Sequence, residues 1–176
     1  MIYFVRHGQT DWNFAKKLQG QVDIELNSKG IEQAYQTKEK LKSIKFDKIF
    51  CSPLKRTVQT CKIITNQKFE LDERIMERSF WEFEGLVKSY EDFWDLNKNQ
   101  SFEKAESIAD VEKRVFNFLD EVVSKYPTEN ILIVGHGGVG LVLTSYFRGI
   151  PKDGNYMHYI IDNCQVLSFD QKKIFR

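Results

Sequence analysis

Ile2-Tyr3-Phe4-Val5-Arg6-His7-Gly8-Gln9-Thr10-Asp11-Trp12-Asn13 is the stretch whose reading decides the fold. Its first four residues form a short apolar run rich in β-branched and aromatic side chains, the composition of a buried strand. The run stops on a cation, an imidazole and a glycine. Glycine lets the chain turn away without steric cost, and the carboxyl ends of strands are where open α/β sheets bind ligands. Taken alone, an Arg-His-Gly tripeptide reads first as a solvated charge beside a loop histidine. The rest of the chain changes that reading.

The pattern recurs. Ile131-Leu132-Ile133-Val134 is a second buried strand, and it ends on Gly135-His136-Gly137-Gly138. Phe46 to Cys51 reads as a third strand, after which Ser52-Pro53 is expected to open a helix with Arg56 and Thr57 in its first turns, near the partly positive end. Asn27 or Ser28 is expected to cap a helix that turns Ile31, Ala34, Tyr35, the stem of Lys38 and Leu41 inward. Lys68 to Leu71 reads as a short strand. Ile108, Val111, Val115, Phe118, Leu119 and Val122 mark a long amphipathic helix, and a further helix runs from about Val139 to Phe147. Tyr156 to Ile161 and Gln165 to Phe169 are expected to close the chain as strands. Alternating strands and helices predict a mainly parallel sheet covered on both faces, a three-layer α/β/α sandwich. A cap insertion at about 78–107 would cover its site, with one short helix near Tyr90 to Leu96.

Composition limits the possibilities. At 176 residues and 41% hydrophobic content the chain supports one domain over 1–176. Lys and Arg total 26 against 25 acids, so no global basic field argues for nucleic acid or a membrane surface, and any anion site must be local. Three cysteines without C-x-x-C spacing argue against a disulfide framework and a zinc site. No apolar run is long enough to span a bilayer and no signal segment is evident, so a cytoplasmic protein is expected. Oligomeric state is left open.

Two histidines delivered to one edge of a parallel sheet come close in space, and Arg6 and Arg56 join them in a chain of almost no net charge. Such a gathering of cations calls for an anion, and a phosphoryl group fits a forked guanidinium. VRHGQTDWN, the Gln19-Gly20 pair, CSPLKRTVQT and VGHGGV together resemble the histidine phosphatase superfamily, phosphoglycerate mutase-like branch, in the same order over nearly the whole chain. The resemblance implies a phosphohistidine intermediate with His7 as nucleophile. It also implies a phosphate clamp of Arg6, Arg56 and His136, with Asn13 as an added donor and Glu77 as proton donor. Gln19, Gly20, Gly137 and Lys88 are further candidates for substrate binding.

The resemblance is imperfect around Glu77, where Asp72, Glu73, Glu82 and Glu84 crowd the same segment. Trp81 stands where the family usually has glycine, and Phe83 where it has tryptophan. A phosphatase acting on a small phosphorylated metabolite is expected, without metal or cofactor, since neither a carboxylate cluster nor a G-x-x-x-x-G-K-[ST] loop is present. A cofactor-dependent phosphoglycerate mutase is the alternative within the family, because Glu77-Arg78 and Gly85-Leu86 with Lys88 look like that enzyme's substrate segment. Gly135 to Gly140 satisfies G-x-G-x-x-G with Asp162 about 20 residues on, the fingerprint of a Rossmann-type dinucleotide site. Too little chain follows it for a second mononucleotide-binding half. Cys51 with Arg56 mimics a cysteine phosphatase loop but is one residue short, so Cys51 reads as a buried thiol. The acids of 86–107, Glu91, Asp92, Asp95, Glu103 and Glu106, outnumber its lysines, which predicts that a very anionic leaving group is disfavoured. His158 is expected to be structural, within a strand.

Overall fold

The structure, a computed structural model, describes residues 1–98, 102 and 104–175. Residues 99–101 and 103 of the expected cap segment lie outside the described residues. Five strands, β1 (Ile2–Arg6), β2 (Lys48–Cys51), β3 (Glu70–Leu71), β4 (Ile131–Gly135) and β5 (Val166–Phe169), form one sheet in the order β3-β2-β4-β1-β5. Every neighbouring pair is parallel except β1 with β5. β4 lies between β1 and β2, with Arg6 opposite Gly135 and Cys51 opposite Val134. The residues that follow these three strands, His7, Ser52 and His136, are therefore delivered to one sheet edge.

Pleating sorts the strand side chains into two cores. Ile2, Phe4, Phe50, Ile131 and Ile133 pack beneath α4 (Ile108–Lys125) and α5 (Gly137–Arg148), while Val5, Ile49, Cys51, Leu132 and Val134 pack beneath α2 (Ser28–Leu41) and α3 (Lys55–Ile64). β4 is buried along its whole length, as a central parallel strand covered on both faces must be.

Several local expectations are corrected. α2 is capped by Asn27, whose side chain accepts from the Gly30 N–H, but its buried face is Gly30, Ala34, Thr37 and Leu41, leaving Ile31 and Tyr35 exposed. The cause is close backbone contact: a Cβ on Gly30 would sit 2.1 Å from the Gln9 carbonyl oxygen, so the glycine itself must face the loop after β1. α3 begins at Lys55 rather than at Ser52-Pro53. α5 begins two residues before Val139. The polar loop after β1 contains a one-turn helix, α1 (Asp11–Phe14), closed by a Thr10–Asn13 capping box. Tyr156–Tyr159 is a 3-10 turn capped by Asn155, so His158 is not in a strand; it pairs on the surface with Asp153 at 2.7 Å.

The aromatic middle of the chain is chiefly packing. Phe93 and Phe102 stack with centroids 3.9 Å apart, and Phe80 and Phe83 meet Phe93 edge-on. Within this cluster the buried Arg78 guanidinium donates to the carbonyls of Glu106 and Phe93. The short helix expected near Tyr90 is a 3-10 turn, Glu91–Trp94.

Candidate active site

His7 follows β1 directly, and its backbone N–H donates to the Gly135 carbonyl at 2.9 Å. Its Nδ1 lies 2.7 Å from the Gly8 carbonyl oxygen. A carbonyl only accepts, so Nδ1 carries the proton and Nε2 the lone pair. Gly8 is required here, because a Cβ would fall 2.4 Å from the Gly30 carbonyl oxygen. The Gly8 N–H in turn donates to Thr60 Oγ1 at 3.0 Å.

The His136 ring lies beside it, with centroids 5.3 Å apart and planes at 60°. His136 Nε2 is 2.7 Å from Ser52 Oγ, while its Nδ1 is buried without a partner. Burial first, then the Arg56 and Arg6 charges, holds the His7 pKa well below 6.5, against a smaller opposing effect of the Gly8 carbonyl. Burial and then Arg56 and His7 do the same to His136. Both rings are therefore neutral at ordinary pH.

Two guanidinium groups complete the cationic wall. Arg6 donates through NH1 to the Ile161 carbonyl at 2.7 Å, leaving a buried Nε without a partner. Arg56 is fully buried in α3 and is held by the carbonyls of Gly20 at 2.7 Å and Val22 at 2.8 Å, its Nε again unpartnered. Burial lowers its pKa to about 10, with Glu77 and Asp23 opposing, so it stays charged at neutral pH. Gly20 thus contributes a carbonyl that aims Arg56, from a left-handed backbone (φ +52°).

Glu77 is buried and lines one cavity with Arg6, His7 and Arg56. Its Oε1 accepts from the Arg78 N–H at 2.9 Å and its Oε2 from the Gly138 N–H at 3.1 Å, in the first turn of α5. This answers the dinucleotide reading. The helix N-terminus that would hold a pyrophosphate already holds a carboxylate, and a Cβ on Gly138 would meet Trp94 at 2.1 Å.

These groups surround a cavity of about 440 Å³, lined by Arg6, His7, Asn13, Gln19, Gly20, Arg56, Glu77 and Lys88 among others. His136 and Gly137 do not line it; they form the layer behind. Asn13 accepts through Oδ1 from the Thr10 N–H at 3.2 Å and from Asn163 at 3.4 Å, which leaves its amide N–H pair without a partner among the described residues. Gln19 accepts from Thr10 Oγ1 at 2.9 Å, so its N–H pair likewise remains to be used.

The rim of the cavity overturns the expectation about leaving-group charge. Asp92 pairs with Lys98, Glu106 with Arg114 and Glu82 with Lys104, all away from the cavity, while Glu103 lies outside the described residues. Of the acids in the 86–107 segment only Glu91 lines the cavity, against Lys16, Lys17 and Lys88. An antiparallel bridge of Lys17 with Val87 and hydrogen bonds between Leu18 and Leu86 (3.0 Å) and Gly85 (2.8 Å) draw the two lysine-bearing segments together.

Sequence reasoning missed Ser52, Asn163 and Tyr90. Ser52 was detectable as the residue immediately following a parallel strand. Asn163, which donates to the His7 carbonyl at 2.9 Å, and Tyr90 come from loops with no periodic signal.

Comparison with known proteins follows the same outline. The family model described as histidine phosphatase superfamily (branch 1) matches residues 2–173. A Bacillus subtilis (strain 168) protein named uncharacterized phosphatase PhoE is 36% identical over 161 residues, covering 86% of this chain and 79% of its own. An Erwinia tasmaniensis protein named probable phosphoglycerate mutase GpmB is 30% identical over 184 residues, covering 98% and 85%. The solved structure of Bacillus stearothermophilus YhfR aligns with a TM-score of 0.84 at 25% identity, covering 94% of this chain and 88% of that one.

Proposed function

The chain belongs to the histidine phosphatase superfamily, branch 1, and on that premise we propose that His7 is the nucleophile of a metal-independent phosphomonoester hydrolase. The observation that carries this reading is the fixed tautomer of His7. Its Nδ1–H is tied to Gly8 and its Nε2 lone pair is left for attack beside two guanidinium groups.

In the first step Nε2 attacks phosphorus in line, an N–P bond forms, the P–O bond to the leaving group breaks, and the alkoxide takes a proton from the Glu77 carboxyl. In the second, water attacks phosphorus, the P–N bond breaks, and the water proton passes to Glu77, giving inorganic phosphate. Charge spread over the equatorial oxygens is met by Arg6, Arg56 and the Asn13 amide, already oriented by the protein. His136 supports the clamp from behind. Residues 1–176 act as one domain with 78–107 as its cap.

The lysine rim favours small substrates whose leaving group carries a second anion, such as a carboxylate. Among the described residues no helix is long and apolar enough to cross a membrane, and the three buried thiols are free. Both facts fit a cytoplasmic setting. A mutase also takes phosphorylated acids, and the likeness to GpmB favours that second reading. Hydrolysis is preferred because exposed Lys88 and Ser89 line the mouth, so water reaches a phosphohistidine formed there.

The test is phosphate release from a panel of phosphomonoesters in chelator by wild type, His7→Ala and Cys51→Ser. Activity is expected to vanish in the first variant and persist in the second. Interconversion of phosphoglycerates with negligible phosphate release would establish the mutase instead.

A further inference from the structure

One polar group of the cavity has no task in that scheme. The Tyr90 hydroxyl is buried with no acceptor for its proton, although Tyr90 lines the cavity; its polar neighbour, the buried Trp94 indole N–H, can only donate to it. Buried hydroxyls without partners are uncommon in native proteins and costly. The ring is held in place edge-on to Phe80, with centroids 6.0 Å apart, and beside the Trp94 indole at 6.1 Å.

The hydroxyl's location is informative. A Cβ on Gly137 would lie 3.0 Å from Tyr90 OH and 3.5 Å from Arg6 Cζ. The phenol and the guanidinium therefore flank the same side-chain-free position. Arg6 Nε, 3.6 Å from the same point, is also buried and unpartnered. Two unsatisfied groups this near to one another, on two residues that both line the cavity, point to an oxygen-bearing ligand that reaches both. The phenol also keeps its proton: burial, reinforced by the nearby Glu77 carboxylate, raises its pKa well above 10.

We propose that the Tyr90 hydroxyl is a further substrate-contacting group, donating a hydrogen bond to a non-bridging oxygen of the phosphoryl group held by Arg6. This inference rests on the phosphatase reading. It adds to the cationic clamp a neutral donor supplied by the 78–107 segment, so that the segment which covers the cavity also helps to hold the group transferred.

The experiment is Tyr90→Phe, which removes one oxygen and keeps the ring. Inorganic vanadate should bind about tenfold more weakly, and kcat/KM should fall by roughly 10- to 100-fold, the range of one lost donor to a charged group. The loss should be the same for aryl and alkyl phosphomonoesters, and the melting temperature of the free protein should hold or rise, since a buried hydroxyl without an acceptor is removed. Vanadate affinity within twofold of wild type would overturn the proposal, as would a loss confined to alkyl esters, which would put the hydroxyl on the leaving oxygen. Should the Phe variant fold poorly, 3-fluorotyrosine at position 90 retains the hydroxyl. Its fluorine resonance should move on vanadate addition, and a stationary resonance would refute the contact. Wild-type protein that neither binds vanadate nor releases phosphate would refute the phosphatase reading and this inference together, whereas an active wild type with an indifferent Tyr90→Phe removes this inference alone.

Discussion

Ser52 Oγ lies 2.7 Å from His136 Nε2 and joins the residue that follows β2 to the residue that follows β4. If the hydroxyl donates, His136 Nδ1 bears the proton, and the ring that supports the clamp from behind is held in a single tautomer. Ser52→Ala releases that tautomer. It should lower kcat/KM about tenfold, the usual effect of one buried hydrogen bond, with vanadate affinity falling in parallel. Unaltered vanadate binding in a folded Ser52→Ala protein would remove Ser52 from the site.

Glu77 accepts two backbone N–H groups, and an amide can replace only one of those acceptors. Glu77→Gln should cost about 10²- to 10⁴-fold on alkyl phosphates, whose leaving group needs a proton, and much less on p-nitrophenyl phosphate. Equal losses on both esters would show that Glu77 positions groups and does not donate a proton.

The attacking imidazole must be neutral, and both His7 and His136 are held well below 6.5. The acid limb of kcat/KM should therefore lie below pH 6.5. Stability follows the same sign: as pH falls through about 6.5 the unfolded chain takes up protons that the folded chain refuses. Stability from this source is complete above that pH and is lost as pH drops toward the folded values. Thermal unfolding followed against pH should show the decline, and His136→Gln should flatten it.

Lys16, Lys17 and Lys88 have no carboxylate within ion-pair distance among the described residues, and Lys17 instead stands 5.7 Å from the Trp12 ring centroid. Replacing Lys16 and Lys17 together by methionine should raise KM for a phosphorylated carboxylic acid about tenfold, while leaving p-nitrophenyl phosphate nearly unaffected. The difference should shrink in high salt, as expected of exposed charges.

Trp81 has φ +53° and is 67% exposed. The left-handed backbone here favours glycine, and this chain places a bulky residue on it. Trp81→Gly removes about 1 kcal/mol of backbone strain at little cost in packing. It should raise the melting temperature by about 2–4 °C for a chain of this size, read by calorimetry.

What the sequence disclosed and what it hid divide on physical lines. β1 and β4 were legible because strands buried on both faces read as unbroken apolar runs, and the histidines were legible because they immediately follow them. The inward face of α2 was not, since Gly30 rather than Ile31 makes the decisive contact and a glycine carries no hydropathic signal. Ser52 looked like a helix cap because side-chain oxygens at such positions commonly serve that role, but its hydroxyl is taken by a residue 84 positions away. Tyr156 to Ile161 alternates like a strand, yet Asn155 caps it into a 3-10 turn. The acids of 86–107 do not act as one field, because pairing partners such as Arg114 lie beyond the segment, where a local charge count does not reach.

The insertion of β4 between β1 and β2 has a consequence for biosynthesis. During translation the nucleophile emerges among the first residues, but the strand that brings its companion imidazole leaves the ribosome well over a hundred residues later. Until then the middle of the sheet is a gap, and His7 has neither the Gly135 carbonyl that accepts its backbone N–H nor its neighbouring ring. Nascent chains shorter than this should be catalytically silent, so the onset of turnover would report completion of the sheet.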